Sequence, residues 1–199
     1  MPRSPDLAKR RELLDRVHAY VIRNGLSDLS LRPLASAVGT SDRMLLYYFG
    51  TKERLVTEVL ALNEERPLLH VRDRLESTGP PEDAAAMRRF MEEVWQDFTA
   101  PGLRAAFPLY LEVMADSLLH PDRYGPVMRN TIAQWTDLLS SVLLGIGVPE
   151  DRARSHAVLL TGAIFGLLMA PLANARWDSA TTAYRDLLDS LEPVWRAAR

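Results

Sequence analysis

The chain has 199 residues, 47% of them hydrophobic and 25% charged, which suits an ordinary soluble globular protein of one or two domains. It contains no cysteine, which excludes disulfides, Cys-ligated zinc and thiol catalysis and fits a reducing cytoplasm. The net charge of −2 is unevenly spread: Met1 to Arg54 holds 10 Lys and Arg against 6 Asp and Glu, the remainder 14 against 20, so positive charge gathers at the N-terminal end.

The opening MPRSPDLAKR lacks the apolar core of a signal peptide, so secretion is not expected. Asp6 to Asn24 reads as a first helix, striped by Leu7, Leu14, Val17, Ala19 and Val21 and stopped by Asn24-Gly25. Lys9, Arg10 and Arg11 in its opening turns read equally well as phosphate contacts or as solvated charge. The stretch LSLRPLASAVGTSDRMLLYYFGTK, Leu29 to Lys52, then gives two short helices around a tight turn. Ser30 can cap the first, with Pro33 harmless in its opening turn and Leu34, Ala35 and Val38 on one face. Gly39 supplies the left-handed residue that ends it, and Ser41 or Thr40 caps the next. In that second helix Leu45 and Phe49 fall four apart and face a core, which pushes Asp42, Arg43, Met44, Leu46 and Tyr47 to the other sides. This is the layout of a helix-turn-helix, whose second helix is presented to the DNA major groove. Leu14, Val17, Leu34, Val38, Leu45 and Phe49 would form its small core.

Thr51 caps a fourth helix from Lys52 to about Leu75, with Pro67 expected to kink or interrupt it. Ser77 to Pro81 is the clearest loop. Beyond it every segment reads as helix. Met87, Phe90, Met91, Val94, Trp95 and Phe98 repeat at three-four spacing, and Ala100 to Gly102 ends that helix. Leu103 to Leu119 carries Phe107, Tyr110, Leu111, Met114 and Leu118, with Pro108 a distortion that should free the carbonyl of Arg104. Tyr124 to Ile146 repeats the pattern through Met128, Ile132, Trp135, Leu138, Leu139 and Val142. Glu150 to about Ala173 is apolar on nearly all sides. It falls just short of the ~20 apolar residues that a bilayer needs and contains Pro171, so no membrane span is expected. Such a helix wants a partner subunit, with Gly162 and Gly166 allowing close approach beside Phe165 and Met169. The last helix, Thr181 to about Ala197, adds Leu187, Leu188, Leu191 and Trp195, and two such helices from each subunit would make a four-helix bundle on a two-fold axis. The expected fold is therefore all-α with about nine helices: a three-helix domain over residues 1–50 and a helical ligand-binding and dimerisation domain over 51–199.

The first-helix stretch RELLDRVHAYVIRNG and the segment LSLRPLASAVGTSDRMLLYYFGTKERLV together resemble the tetracycline-repressor (TetR) family of bacterial regulators. The resemblance covers about the first quarter of the chain; the later helices agree in number and order. It implies a cytoplasmic homodimer that sets one helix per subunit into a palindromic double-stranded operator and is released by a small effector. Carried over by position, Ser41 caps the reading helix, Thr40 can reach a phosphate, and Arg43 is the best candidate for a base contact. Met44 and Tyr47 would meet thymine methyls or else pack within the small domain. Tyr48 and Lys52 resemble phosphate-holding positions, and Ser30 and Arg32 look like backbone contacts from the other side of the groove. The chain departs from the family where Arg43-Met44 replaces small residues and where Leu46 replaces a phosphate-bonding tyrosine. Asp42 would repel phosphate but can accept from cytosine N4 or orient Arg43.

The four histidines, His18, His70, His120 and His156, lack metal-ligand spacing, and no nucleophile elbow, phosphate loop or dinucleotide fingerprint occurs, so no catalytic site, metal or cofactor is expected. Trp95, Phe98, Phe107, Tyr110, Met114, Met128 and Trp135 are candidates to line a mostly apolar effector pocket, with plain core packing the alternative for each. The leading reading is a ligand-responsive repressor. The alternative is a helical small-molecule binding protein with a vestigial DNA-binding head, and an enzyme comes a distant third.

Overall fold

The computed structural model describes residues 6–26, 29–122 and 124–197; Met1 to Pro5, part of the stretch read above for a signal peptide, lie outside these. Among the described residues all regular structure is helical, as expected: α1 (Leu7–Asn24), α2 (Leu31–Ala37), α3 (Asp42–Phe49), α4 (Lys52–Thr78), α5 (Ala84–Thr99), α6 (Pro101–Leu119), α7 (Gly125–Gly145), α8 (Glu150–Asn174) and α9 (Trp177–Arg196). The chain divides into two compact units, Met1–Arg66 with Ala105–Arg129, and Pro67–Arg104 with Asn130–Arg199.

In the first unit α1 starts where the Asp6 carboxylate accepts the N–H groups of Ala8 and Lys9, at 3.0 and 3.2 Å. Its buried face is Leu13, Val17, His18 and Val21, so Leu13 takes the core place expected for Leu14, and Leu7 and Ala19 are exposed. Two adjacent leucines satisfy the same spacing, and only the packing of Val17 and Val21, four and eight residues on, selects the first. Leu34, Ala35, Val38, Leu45 and Phe49 are buried as expected, joined by Leu55, Val56 and Val59 from α4. Glu112 of α6 accepts the Leu26 N–H at 2.9 Å, and a Cβ on Gly25 would lie 3.1 Å from the same carboxylate.

In the second unit all six stripe residues of α5 are buried. Trp95 stacks on Tyr184 of α9 at 4.6 Å and donates its Nε1–H to Thr181 Oγ1 at 3.0 Å, so its polar edge is satisfied inside. Tyr184 donates to the Met91 carbonyl at 3.3 Å, and burial, with Glu92 adding, pushes its hydroxyl well above the ordinary tyrosine range. Trp195 of α9 donates to His156 Nδ1 of α8 at 3.0 Å. At the rim Arg88 of α5 pairs with Asp189 and with Glu192, the latter at 3.2 Å.

Several boundaries and faces differ from expectation. α4 is not interrupted at Pro67 and runs to Thr78, past the expected end near Leu75 and into the first residues of the expected loop; a proline removes only one of the backbone bonds in a helix of 27 residues. α5 does end before Ala100 as expected, but Pro101 at once opens α6, two residues ahead of the expected Leu103, because a missing N–H costs nothing at a first helical position. Pro108 is exposed within an unbroken α6 whose buried face is Phe107, Leu109, Tyr110, Val113 and Ser117, leaving Leu118 in the open. α8 is not buried all round. Ala153, Ala157, Leu160, Ile164 and Leu168 are sealed, while Val158, Leu159 and Met169 are 57%, 45% and 52% exposed. On α9, which opens at Trp177 rather than Thr181, three residues expected at a subunit interface, Leu188, Leu191 and Trp195, are instead buried within the subunit. That stripe packs α9 onto α5 and α8 within the subunit.

Candidate nucleic-acid interface

Local chemistry builds the α2–turn–α3 unit. Ser30 stands at the N-cap of α2 without a side-chain capping bond. Gly39, at φ 68°, makes the left-handed turn, and the Thr40 N–H returns to the Ala35 carbonyl at 2.9 Å. Ser41 Oγ then accepts the Met44 N–H at 3.2 Å, which fixes where α3 begins. Leu45 and Phe49, each 1% exposed, anchor one side of α3.

Everything else on α3 follows from that anchor. At ~100° per residue, Arg43 and Tyr47 stand opposite Leu45, four apart on one outward row. Asp42, Arg43 and Leu46 are exposed, and Met44 and Tyr47 are 36% and 51% exposed. Neither Met44 nor Tyr47 is sealed in the core of the small domain. Asp42 Oδ1 accepts the Arg43 N–H at 2.8 Å, an extra brace at the helix start. The Tyr47 and Tyr48 rings meet edge to face at 5.2 Å. Among the flanking residues Ser30 and Arg32 are exposed, and Thr40 and Tyr48 half-buried. Thr51 Oγ1 accepts the Arg54 N–H at 3.1 Å, which places half-buried Lys52 at the first position of α4.

Sequence reasoning makes Arg10 of α1 a phosphate contact or solvated charge and misses what it holds. Its Nε–H donates to the Tyr48 carbonyl at 3.2 Å, its guanidinium lies 4.9 Å over the Phe49 ring, and it pairs with Glu58 of α4. The partners lie 38 and 48 residues away, beyond any local pattern.

The candidate effector residues fall into two groups. Phe107 and Tyr110, stacked at 5.4 Å, belong to the first unit with half-buried Met114 and buried Met128. Trp95, Phe98 and Trp135 belong to the second, where Phe98 lies 5.5 Å from Trp135 and 6.3 Å from half-buried Phe165. Among the candidate interface residues, Gly162, Gly166 and Met169 are exposed on α8, with no atom of the subunit within 4 Å of a Cβ built on either glycine, and Leu187 is half-buried on α9. Of the histidines, His18 and His156 are buried in helix packing. Among the described residues no group of three acidic or histidine side chains forms a metal site.

No protein-family profile matches the chain, and no curated protein matches it in sequence. Solved structures do match in three dimensions. A Saccharomonospora viridis protein described as a transcriptional regulator, in complex with choline, superposes with a TM-score of 0.76 at 22% identity, over 92% of this chain and 97% of its own. A TetR transcriptional regulator of Legionella pneumophila gives 0.72 at 15% identity over 96% and 98%. A TetR-family regulator of Agrobacterium tumefaciens gives 0.71 at 19% identity over 92% and 97%. The likeness is one of fold: nearly the whole chain has the architecture of TetR-family regulators.

Proposed function

We propose that the chain is a TetR-family transcriptional regulator, a cytoplasmic homodimer that represses by holding a palindromic operator and lets go when a small effector binds. The observation that carries this reading is the outward row on α3, where Arg43, Met44 and Tyr47 stay exposed on a helix capped by Ser41 and anchored by Leu45 and Phe49. Exposed methionine and tyrosine beside a lone arginine suit base edges and thymine methyls. Ser30, Arg32, Thr40, Tyr48 and Lys52 would hold the flanking phosphates. Residues 1–50 form the reading head in this scheme, and residues 51–199 pair the subunits and take the effector.

The pairing surface is the outer face of α8, where Val158, Leu159, Gly162, Gly166 and Met169 offer an apolar strip with room for a second helix. α8 is long and apolar enough to cross a bilayer. Its opposite face is packed against α9, and a partner subunit rather than lipid accounts for the rest. Candidates for an apolar effector lining are Phe107, Tyr110, Met114 and Met128 within the first unit and, separately, Trp95, Phe98 and Trp135 within the second, and a structural neighbour's complex with choline supports a small organic effector. No catalytic role is assigned.

Selecting bound duplexes from a random pool tests the reading. An enriched palindrome is the expected result, and recovery of no preferred sequence would overturn it.

A further inference from the structure

We propose that Arg10 is a positioning residue for DNA recognition: from α1 it clamps the last turn of α3 and so sets where Arg43 and Tyr47 meet the bases. This rests on the regulator reading and adds to it a basic side chain that works without touching DNA.

α3 has eight residues, fewer than the ~12–15 that an isolated helix needs to hold together in water. Its start is fixed by Ser41, but its last carbonyls have no partner within the helix. Arg10 supplies one: its Nε–H donates to the Tyr48 carbonyl at 3.2 Å. The same guanidinium covers the Phe49 ring at 4.9 Å and pairs with Glu58, whose other oxygen faces Arg54 Nε at 3.4 Å. One edge therefore holds a carbonyl, another a carboxylate, and the flat face an aromatic ring. A planar fork makes these three contacts at once; an ammonium makes only one of them well. Positive charge at a helix C-terminus also complements the dipole of α3. The Tyr48 ring packs edge to face on that of Tyr47, so a shift of the clamped turn moves an outward residue of the reading row. Arg10 is half-buried in these contacts, whereas its neighbours Lys9 and Arg11 are exposed and free to meet phosphates.

The test compares the full-length parent with Arg10→Lys and Arg10→Met on the duplex the parent selects and on an unrelated duplex. Both variants should lose about ten-fold of the preference between the two, the scale of one hydrogen bond to a charged group, with the salt dependence of binding unchanged. Without DNA, amide exchange should quicken over residues 42–50 and stay at the parent rate in α5 and α9. If Arg10 held a phosphate instead, Arg10→Met would weaken both duplexes alike and lower the salt slope by about one, while Arg10→Lys would bind as the parent does. That pattern overturns the proposal. So does a retained preference in Arg10→Lys, the variant that decides if Arg10→Met does not fold. A parent with no preference at all would instead overturn the regulator reading, and the clamp with it.

Discussion

Arg43 is the one basic residue of α3, and its exposure means that its removal costs the subunit no packing. A bidentate arginine–guanine pair discriminates by ~1–3 kcal/mol. Arg43→Ala should therefore abolish operator preference while circular dichroism and sedimentation match the parent. A variant that still prefers the operator would place the reading residue elsewhere. His156 carries a different prediction. Burial, then the positive charge of Arg152, lowers its pKa below the ordinary histidine value, and its Nδ1 is occupied as the acceptor of the Trp195 N–H. As pH falls, the unfolded chain takes the proton first, at about 6.5. The stabilisation is thus complete above about pH 6.5 and declines as pH falls toward the folded-state value. Urea midpoints should drop between pH 7.5 and 5.5, and the drop should shrink in His156→Gln; equal drops in both proteins would remove His156 from the explanation.

At the scale of the helices, what could be read in advance depended on how local the cause was. Ser41, Gly39, Leu45 and Phe49 fix α3 through contacts within a few residues, so the start of α3 and its buried face were legible almost residue by residue. α5 was legible because its apolar residues occupy one face and nothing else competes for it. α8 was not, since a helix apolar all round gives periodicity nothing to choose between, and only the seating of α9 decides that Leu160 and Ile164 turn inward. The same seating buries Leu188, Leu191 and Trp195, which on spacing alone suited a subunit interface equally well. Arg10 escaped because its partners come from distant segments. The two faces of α8 make separable predictions. Leu159→Arg with Met169→Arg should halve the mass seen by sedimentation while leaving the subunit folded, because both sites are exposed. Leu160→Ala, fully buried, should instead cost ~2–5 kcal/mol of stability, read as a lower urea midpoint. A double-arginine protein that keeps the parent mass would move the pairing surface off α8.

For the whole molecule, the proposed function requires two α3 helices to be presented to one duplex, since a single short helix with one arginine offers little discrimination. The phosphate contacts proposed for Arg32, Tyr48, Lys52 and their counterparts in a second subunit should make binding fall steeply with salt; binding indifferent to salt would favour a head that no longer engages DNA. Footprinting the full-length protein on the duplexes it selects, together with the number of chains bound, asks directly whether the two helices read as a pair. The expected result is two chains on an inverted repeat with half-sites about one turn (~34 Å) apart, protected by the parent and not by Arg43→Ala. One chain on an asymmetric site, or protection with no preferred sequence, would contradict it.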